Sequence, residues 1–109
     1  MTKPLPPRPG HKQLSAPSHL ERQEKALWRD LTTAHDFEDT ASLALLRTAL
    51  EAHQRARRCR EQIDAAGETI LDRFGIPKAH PLIAAERDAR AAFLAGMRGL
   101  NLDIAGLVK

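Results

Sequence analysis

Cysteine occurs once, at Cys59, so the chain can form no internal disulfide and no thiolate cluster can hold a structural metal. Aromatic residues are nearly as scarce: Trp28, Phe37, Phe74 and Phe93, with no tyrosine. An interior this poor in bulky side chains, in a chain of 109 residues, buries a small share of its surface and leaves a thin margin of stability. Packing against copies of itself would supply the missing burial. No apolar run approaches the roughly 20 residues needed to cross a bilayer. Basic residues near the start are not followed by an apolar core, so neither a membrane-spanning nor a conventionally exported protein is expected.

What is present is charge, and its placement says more than its total. Residues Met1 to Pro17 carry Lys3, Arg8 and Lys12 without an acid, and the remaining Lys and Arg are balanced one for one by Asp and Glu, so the net +3 sits in this arm. The arm also holds five of the seven prolines. Proline fixes φ and removes a donor, so residues 1–17 are expected to be disordered or polyproline-like, either a basic tether for phosphates or a partner, or a solvated leader.

From Ser18 on, the pattern is helical, and 18–109 reads as one folded unit. Ser18-His-Leu-Glu21 has the form of a capping box, which predicts a helix starting there. Leu20, Leu27, Trp28 and Leu31 share one stripe of that helix, which ends near Ala34, with Trp28 as a core anchor. A second helix is expected from Thr40 to the terminating Gly67. Ser42, Leu45, Ala49, Ala52, Ala56, Cys59, Ile63 and Ala66 alternate steps of three and four along it, the spacing of a seam between nearly parallel helices. Its small residues permit close approach, and Leu45, Ala49, Ala52, Ala56 and Ile63 are the expected subunit interface. Leu43, Leu46 and Leu50 form a second stripe, so this helix is expected to touch two neighbours at its N-terminal half.

Residues Gly67 to Pro81 (GETILDRFGIPKAHP) predict a short hairpin or ordered loop. The last long helix is expected to start around His80-Pro81, with Leu82, Ala85, Ala89, Ala92, Phe93, Gly96, Met97 and Leu100 on its apolar face. Gly99 weakens its end, and Asp103 is placed to cap a final turn through Ile104 to Val108. The fold class that follows is all-α: an antiparallel long-helix hairpin plus an N-terminal helix, with a β-hairpin-like loop between the long helices.

Signatures of catalysis are missing. There is no glycine-rich phosphate loop, nucleophile elbow or helical two-histidine metal motif. His53 and Cys59, six residues apart, are turned about 240° from each other and cannot ligate one ion. Cys59 is expected to be a core residue, and His11, His19, His35 and His80 fall in the arm or at helix ends, where polar capping is expected. No cofactor, metal or enzymatic activity is expected. Arg55, Arg57, Arg58 and Arg60 crowd six residues of the long helix, only partly offset by Glu51, Glu61 and Asp64. They either meet phosphates or acids of an adjacent subunit, or form a solvated face with bridges such as Arg57 to Glu61.

Taken in order, several pieces resemble a bacteriophage terminase small subunit, of the family found in tailed phages and prophages. They are Leu20 with Leu27-Trp28, the Leu43 to Leu50 run with Glu51-Ala52, and Gly67. Asp72-Arg73-Phe74-Gly75, Pro77-Lys78 and His80-Pro81 follow, then Arg87-Asp88-Ala89-Arg90 and Leu100-Asn101-Leu102. The likeness spans about Leu14 to Leu102. It implies a non-catalytic role in the host bacterium's cytoplasm: binding double-stranded viral DNA, assembling into a homo-oligomeric ring, and recruiting or regulating the large subunit, which is the ATPase and nuclease. Lys3, Arg8, Lys12 and the four clustered arginines are the candidate DNA contacts. No separate helix-turn-helix domain precedes the long helices. A small helical transcription regulator or antitoxin-like DNA binder, and a purely structural interaction protein, are the competing classes.

Overall fold

A computed structural model describes residues 15–102, and within them three helices and one two-stranded ribbon follow in the order α1 (Arg22–Ala34), α2 (Thr40–Ala66), β1 (Thr69–Leu71), β2 (Pro77–Ala79) and α3 (Leu82–Gly99). The expected all-α architecture is therefore observed, with the β-hairpin between the long helices. Lys3, Arg8 and Lys12 of the arm, and the final turn beyond Asp103, lie outside the described residues.

The long helix has chemically explicit ends. Asp39 is its N-cap, its Oδ2 accepting from the Ser42 amide at 2.9 Å, which satisfies one donor that the first turn leaves unpaired. Gly67, at φ +93°, closes it with its amide bonded to the Ile63 carbonyl. At the start of α3 the His80 Nδ1 accepts from the Leu82 amide at 3.1 Å, the polar capping expected of this histidine. That helix runs through Gly99 and stops where Asn101 turns left-handed (φ 60°), the Leu102 amide reaching back to the Met97 carbonyl.

The start of α1 differs from expectation. Ser18 and His19 lie in a turn ahead of the helix, and the N-cap is Glu21, with no side-chain cap bond. The expected capping box does not form because its carboxylate is drawn away: Glu21 reaches Arg57 and Arg58 of α2, and its own amide donates to Gln54 Oε1 at 2.6 Å. Long-range ion pairing has displaced a local motif.

Helices α2 and α3 run antiparallel, and successive contacts fix their register. A Cβ added at Gly99 would meet Leu45, one at Gly96 would meet Ala49, the His53 ring stands edge-on to Phe93 with centroids 4.9 Å apart, and Arg60 approaches Glu86. Along this seam Ala49, Ala56, Cys59 and Ile63 are buried, with Ala89, Phe93 and Met97 buried on α3. Leu20, Trp28 and Leu31 close the core from the α1 side over Leu46 and Leu50, so α2 does have two neighbours at its N-terminal half. Trp28 is the core anchor expected of it.

The seam's periodicity and the antiparallel hairpin were legible; what the structure corrects is the assignment of seam residues to a subunit interface. Ala49, Ala56 and Ile63 are buried, and Leu45 and Ala52 half-buried, by α3 of the same chain rather than left open to a second subunit. Equal spacing serves an intramolecular and an intermolecular neighbour alike.

Gly99 tests this register at its loose end. A Cβ there would come within 2.9 Å of Leu45 Cδ2, the far end of a flexible, half-buried side chain. Alanine is also the better helix former by up to about 1 kcal/mol. Gly99→Ala is therefore expected to be neutral or to stabilise by about 0.5 kcal/mol in urea denaturation; a loss above about 1 kcal/mol would mean that Leu45 cannot yield.

Candidate functional site

Two clusters of chemistry-bearing residues emerge, one closed and one open. The closed one lies between α1 and α2. Glu24 occupies the apolar stripe of α1, four residues after Leu20 and four before Trp28, and is 0% exposed. A buried carboxylate needs partners, and α2 supplies them from positions one turn apart. Arg57 Nη2 donates to Glu24 Oε1 at 2.8 Å and Arg57 Nε to Oε2 at 3.1 Å, while His53 Nδ1 lies 2.7 Å from Oε2. The guanidinium also reaches Glu21 at 2.6 Å and Glu61 at 2.9 Å, the second being the expected within-helix bridge. Arg58 adds a bond to Glu21 at 2.9 Å, and His19 pairs with Glu51 at 2.6 Å.

The electrostatics follow from these contacts. Burial alone would raise the Glu24 carboxyl, but hydrogen bonds from Arg57 and His53 outweigh it and leave Glu24 below its ordinary value. Bonds from Arg58 and Arg57 lower Glu21 likewise. Arg57 and Arg58 are raised, Arg57 by its bonds to Glu24 first and Arg58 by its bond to Glu21. This cluster joins two helices by charge and offers no open position to a reactant.

The arginine group is thereby divided. Arg57, with only 15% of its side chain exposed, is committed to three carboxylates. Arg58 is held by Glu21, and Arg60 lies 3.7 Å from Glu86. Arg55 alone of the four is exposed without an ion pair among the described residues. Three of the four thus act within the fold, and Arg55 is the member of the group left available to an external anion. Glu24 was the residue missed in the sequence; the available signal was a carboxylate on an otherwise apolar stripe.

The open cluster is the hairpin. Its strands pair antiparallel with Thr69 opposite Ala79, Ile70 opposite Lys78 and Leu71 opposite Pro77. Asp72 organises the connection: its Oδ1 accepts from the amides of Phe74 (2.8 Å) and Ile76 (2.9 Å), its amide donates to the Ile76 carbonyl, and its carbonyl accepts from Gly75. Gly75 supplies the left-handed backbone, φ +76°, that the turn requires. The turn leaves Phe74 74% exposed, with Leu71 at 67% and Ile76 at 58% beside it. The Arg73 guanidinium lies 5.0 Å from the Phe74 ring centroid, and Pro77 and Lys78 are exposed on the return strand. His80 and Pro81 end the segment at α3, so the residues from Asp72 to Pro81 that the sequence singled out run from the exposed turn along the return strand to the start of that helix.

No described helix is long and apolar enough to cross a membrane, and the described residues contain no group of three or more His, Cys, Asp or Glu side chains placed to hold a metal ion. No family model, curated protein or solved structure matches the chain.

Proposed function

We propose that the chain is a non-catalytic DNA-packaging adaptor, a terminase small subunit that binds double-stranded viral DNA in the bacterial cytoplasm and recruits or regulates the large ATPase and nuclease subunit. The observation that carries this reading is the tip. Leu71, Phe74 and Ile76 are three of the four large hydrophobic residues exposed among the described residues, and they fall within six residues at the end of the ribbon. Exposed apolar side chains clustered on a fixed turn mark a protein-binding surface. The motif order supports the reading, because its most individual stretch, Asp72 to Pro81, begins with this same turn.

Self-association in this reading uses surfaces other than the α2 seam. The outer face of α3, where Ala84, Ala91 and Ala95 are exposed at helical spacing, permits close approach of a second helix. Native mass spectrometry at micromolar concentration reads the outcome: a ring or other closed oligomer agrees with the proposal, and a strict monomer removes the assembly from it.

Phe74→Ser separates binding from folding. Because Phe74 is mostly solvated, its loss is expected to leave the melting temperature within about 2 °C of wild type. It should nevertheless weaken capture of a purified terminase large subunit by at least about tenfold, the effect of removing an aromatic anchor. A large subunit that ignores the wild-type chain, or binds the variant equally well, would sink the proposed recruitment through this tip.

A further inference from the structure

The ion pairs between α1 and α2 sort charge as well as joining helices. Near α1 the acids are Glu21, Glu24 and Asp30, and the first two face α2, bonded to Arg57, Arg58 and His53. The opposite side of α1 carries Arg22, Lys25 and Arg29, at steps of three and four, all exposed. Arg22 and Lys25 make no ion pair among the described residues. Arg29 has only Asp30, at 3.9 Å and with both side chains more than 70% exposed, a contact too solvated to compete with a multivalent anion. The result is a row of three exposed cations from which Glu21 and Glu24 are turned toward α2, leaving Asp30 as the one acid of α1 beside it.

We propose that this outward face of α1 is a nucleic-acid contact surface in which Arg22, Lys25 and Arg29 lie along the phosphates of one duplex strand. The inference rests on the DNA-binding part of the function proposed above and assigns it to residues beyond the arm and the arginine group of α2. Its geometry suits the ligand. Seven helical residues advance about 10 Å, and the long Arg and Lys side chains splayed from that span reach about three successive phosphates of one strand.

Two further observations favour nucleic acid over other polyanions. The sequence immediately before α1 is the acid-free arm with Lys3, Arg8 and Lys12, so like charge continues over the first 29 residues apart from the inward-turned Glu21 and Glu24. Insertion of α1 into a bilayer interface would need its apolar side, and that side, Leu20, Trp28 and Leu31, is buried in the core, which leaves a lipid surface only the charge of three residues.

The test uses the full chain and the variant Arg22→Gln/Lys25→Gln/Arg29→Gln, with circular dichroism confirming unchanged helicity. Fluorescence anisotropy with a labelled duplex of arbitrary sequence is recorded across a salt series. Wild type is expected to bind, and the variant to bind at least about tenfold more weakly at about 50 mM salt, with the slope of log K against log salt flatter by about 3. If wild type binds with a steep slope and the variant matches it in affinity and slope, this assignment is overturned while DNA binding itself stands. If wild type leaves the duplex free even at low salt, the DNA-binding reading falls and this inference with it. Wild-type preference for vesicles containing roughly one-third phosphatidylserine over the duplex, abolished in the variant, would overturn it in favour of a lipid surface.

Discussion

Arg57→Ala is expected to destabilise the protein by about 3–5 kcal/mol, because it leaves the Glu24 carboxylate buried with only His53 beside it. The loss does not measure the worth of the ion pair, which includes the desolvation of both partners; it measures an unpaired charge in a dry place. In a domain of this size each kcal/mol moves the midpoint by about 4–8 °C, so the melting temperature should fall by at least about 12 °C. Arg57→Lys should recover only part of it, since an ammonium cannot span Glu21, Glu24 and Glu61 as the planar fork does. A drop below about 3 °C for Arg57→Ala would show that Glu24 reaches water. Acid should act on the same network. Glu24 lies below its ordinary value of 4.5 in the folded chain, so its contribution is complete above about pH 4.5 and is lost as pH falls through the folded value. A Glu24→Gln variant should start from a lower melting temperature near neutrality and show a flatter decline on the acid side.

The second large effect concerns the closest approach of α2 and α3. A Cβ at Gly96 would stand 2.6 Å from Ala49 Cβ and 3.4 Å from Ala49 Cα, neither of which can swing aside. Alanine's helix preference, about 1 kcal/mol, is therefore opposed by an overpacking loss of about 1–3 kcal/mol at a point where the helix axes must separate. Gly96→Ala is expected to be destabilising by up to about 2 kcal/mol net, in contrast to the tolerance expected at Gly99. The pair Gly96→Ala/Ala49→Gly restores the space, so the double variant should be more stable than the sum of the single changes predicts, with a coupling of about 1–2 kcal/mol. A stabilising Gly96→Ala would mean that the two helices do not meet here.

The contrast between local and distant determinants explains what could be read from the residues alone. The ends of α2 were legible because Asp39 and Gly67 act within one turn of their own position. The capping box at Ser18 was misread because the competing partners of Glu21 are Arg57 and Arg58, 36 and 37 residues away, and no local pattern registers them. The seam on α2, the apolar face of α3 and their antiparallel pairing were visible, but only the structure shows the register, with Gly96 set against Ala49. At the tip, β-tolerant Thr69 to Leu71 and the turn formers Gly75 and Pro77 foretold the hairpin, while the part Asp72 plays in it comes from the structure. That Phe74, Ile76 and Leu71 all remain uncovered depends on how far the ribbon stands from the helices, which spacing does not encode.

For the four hydrogen bonds that Asp72 gathers, the consequence lies in the energetics of recognition. Much of the conformational freedom of this turn has been surrendered during folding, before any encounter takes place. A partner that accepts the Phe74 ring therefore has little backbone left to immobilise, and a contact of modest area can retain more of its gross attraction as affinity.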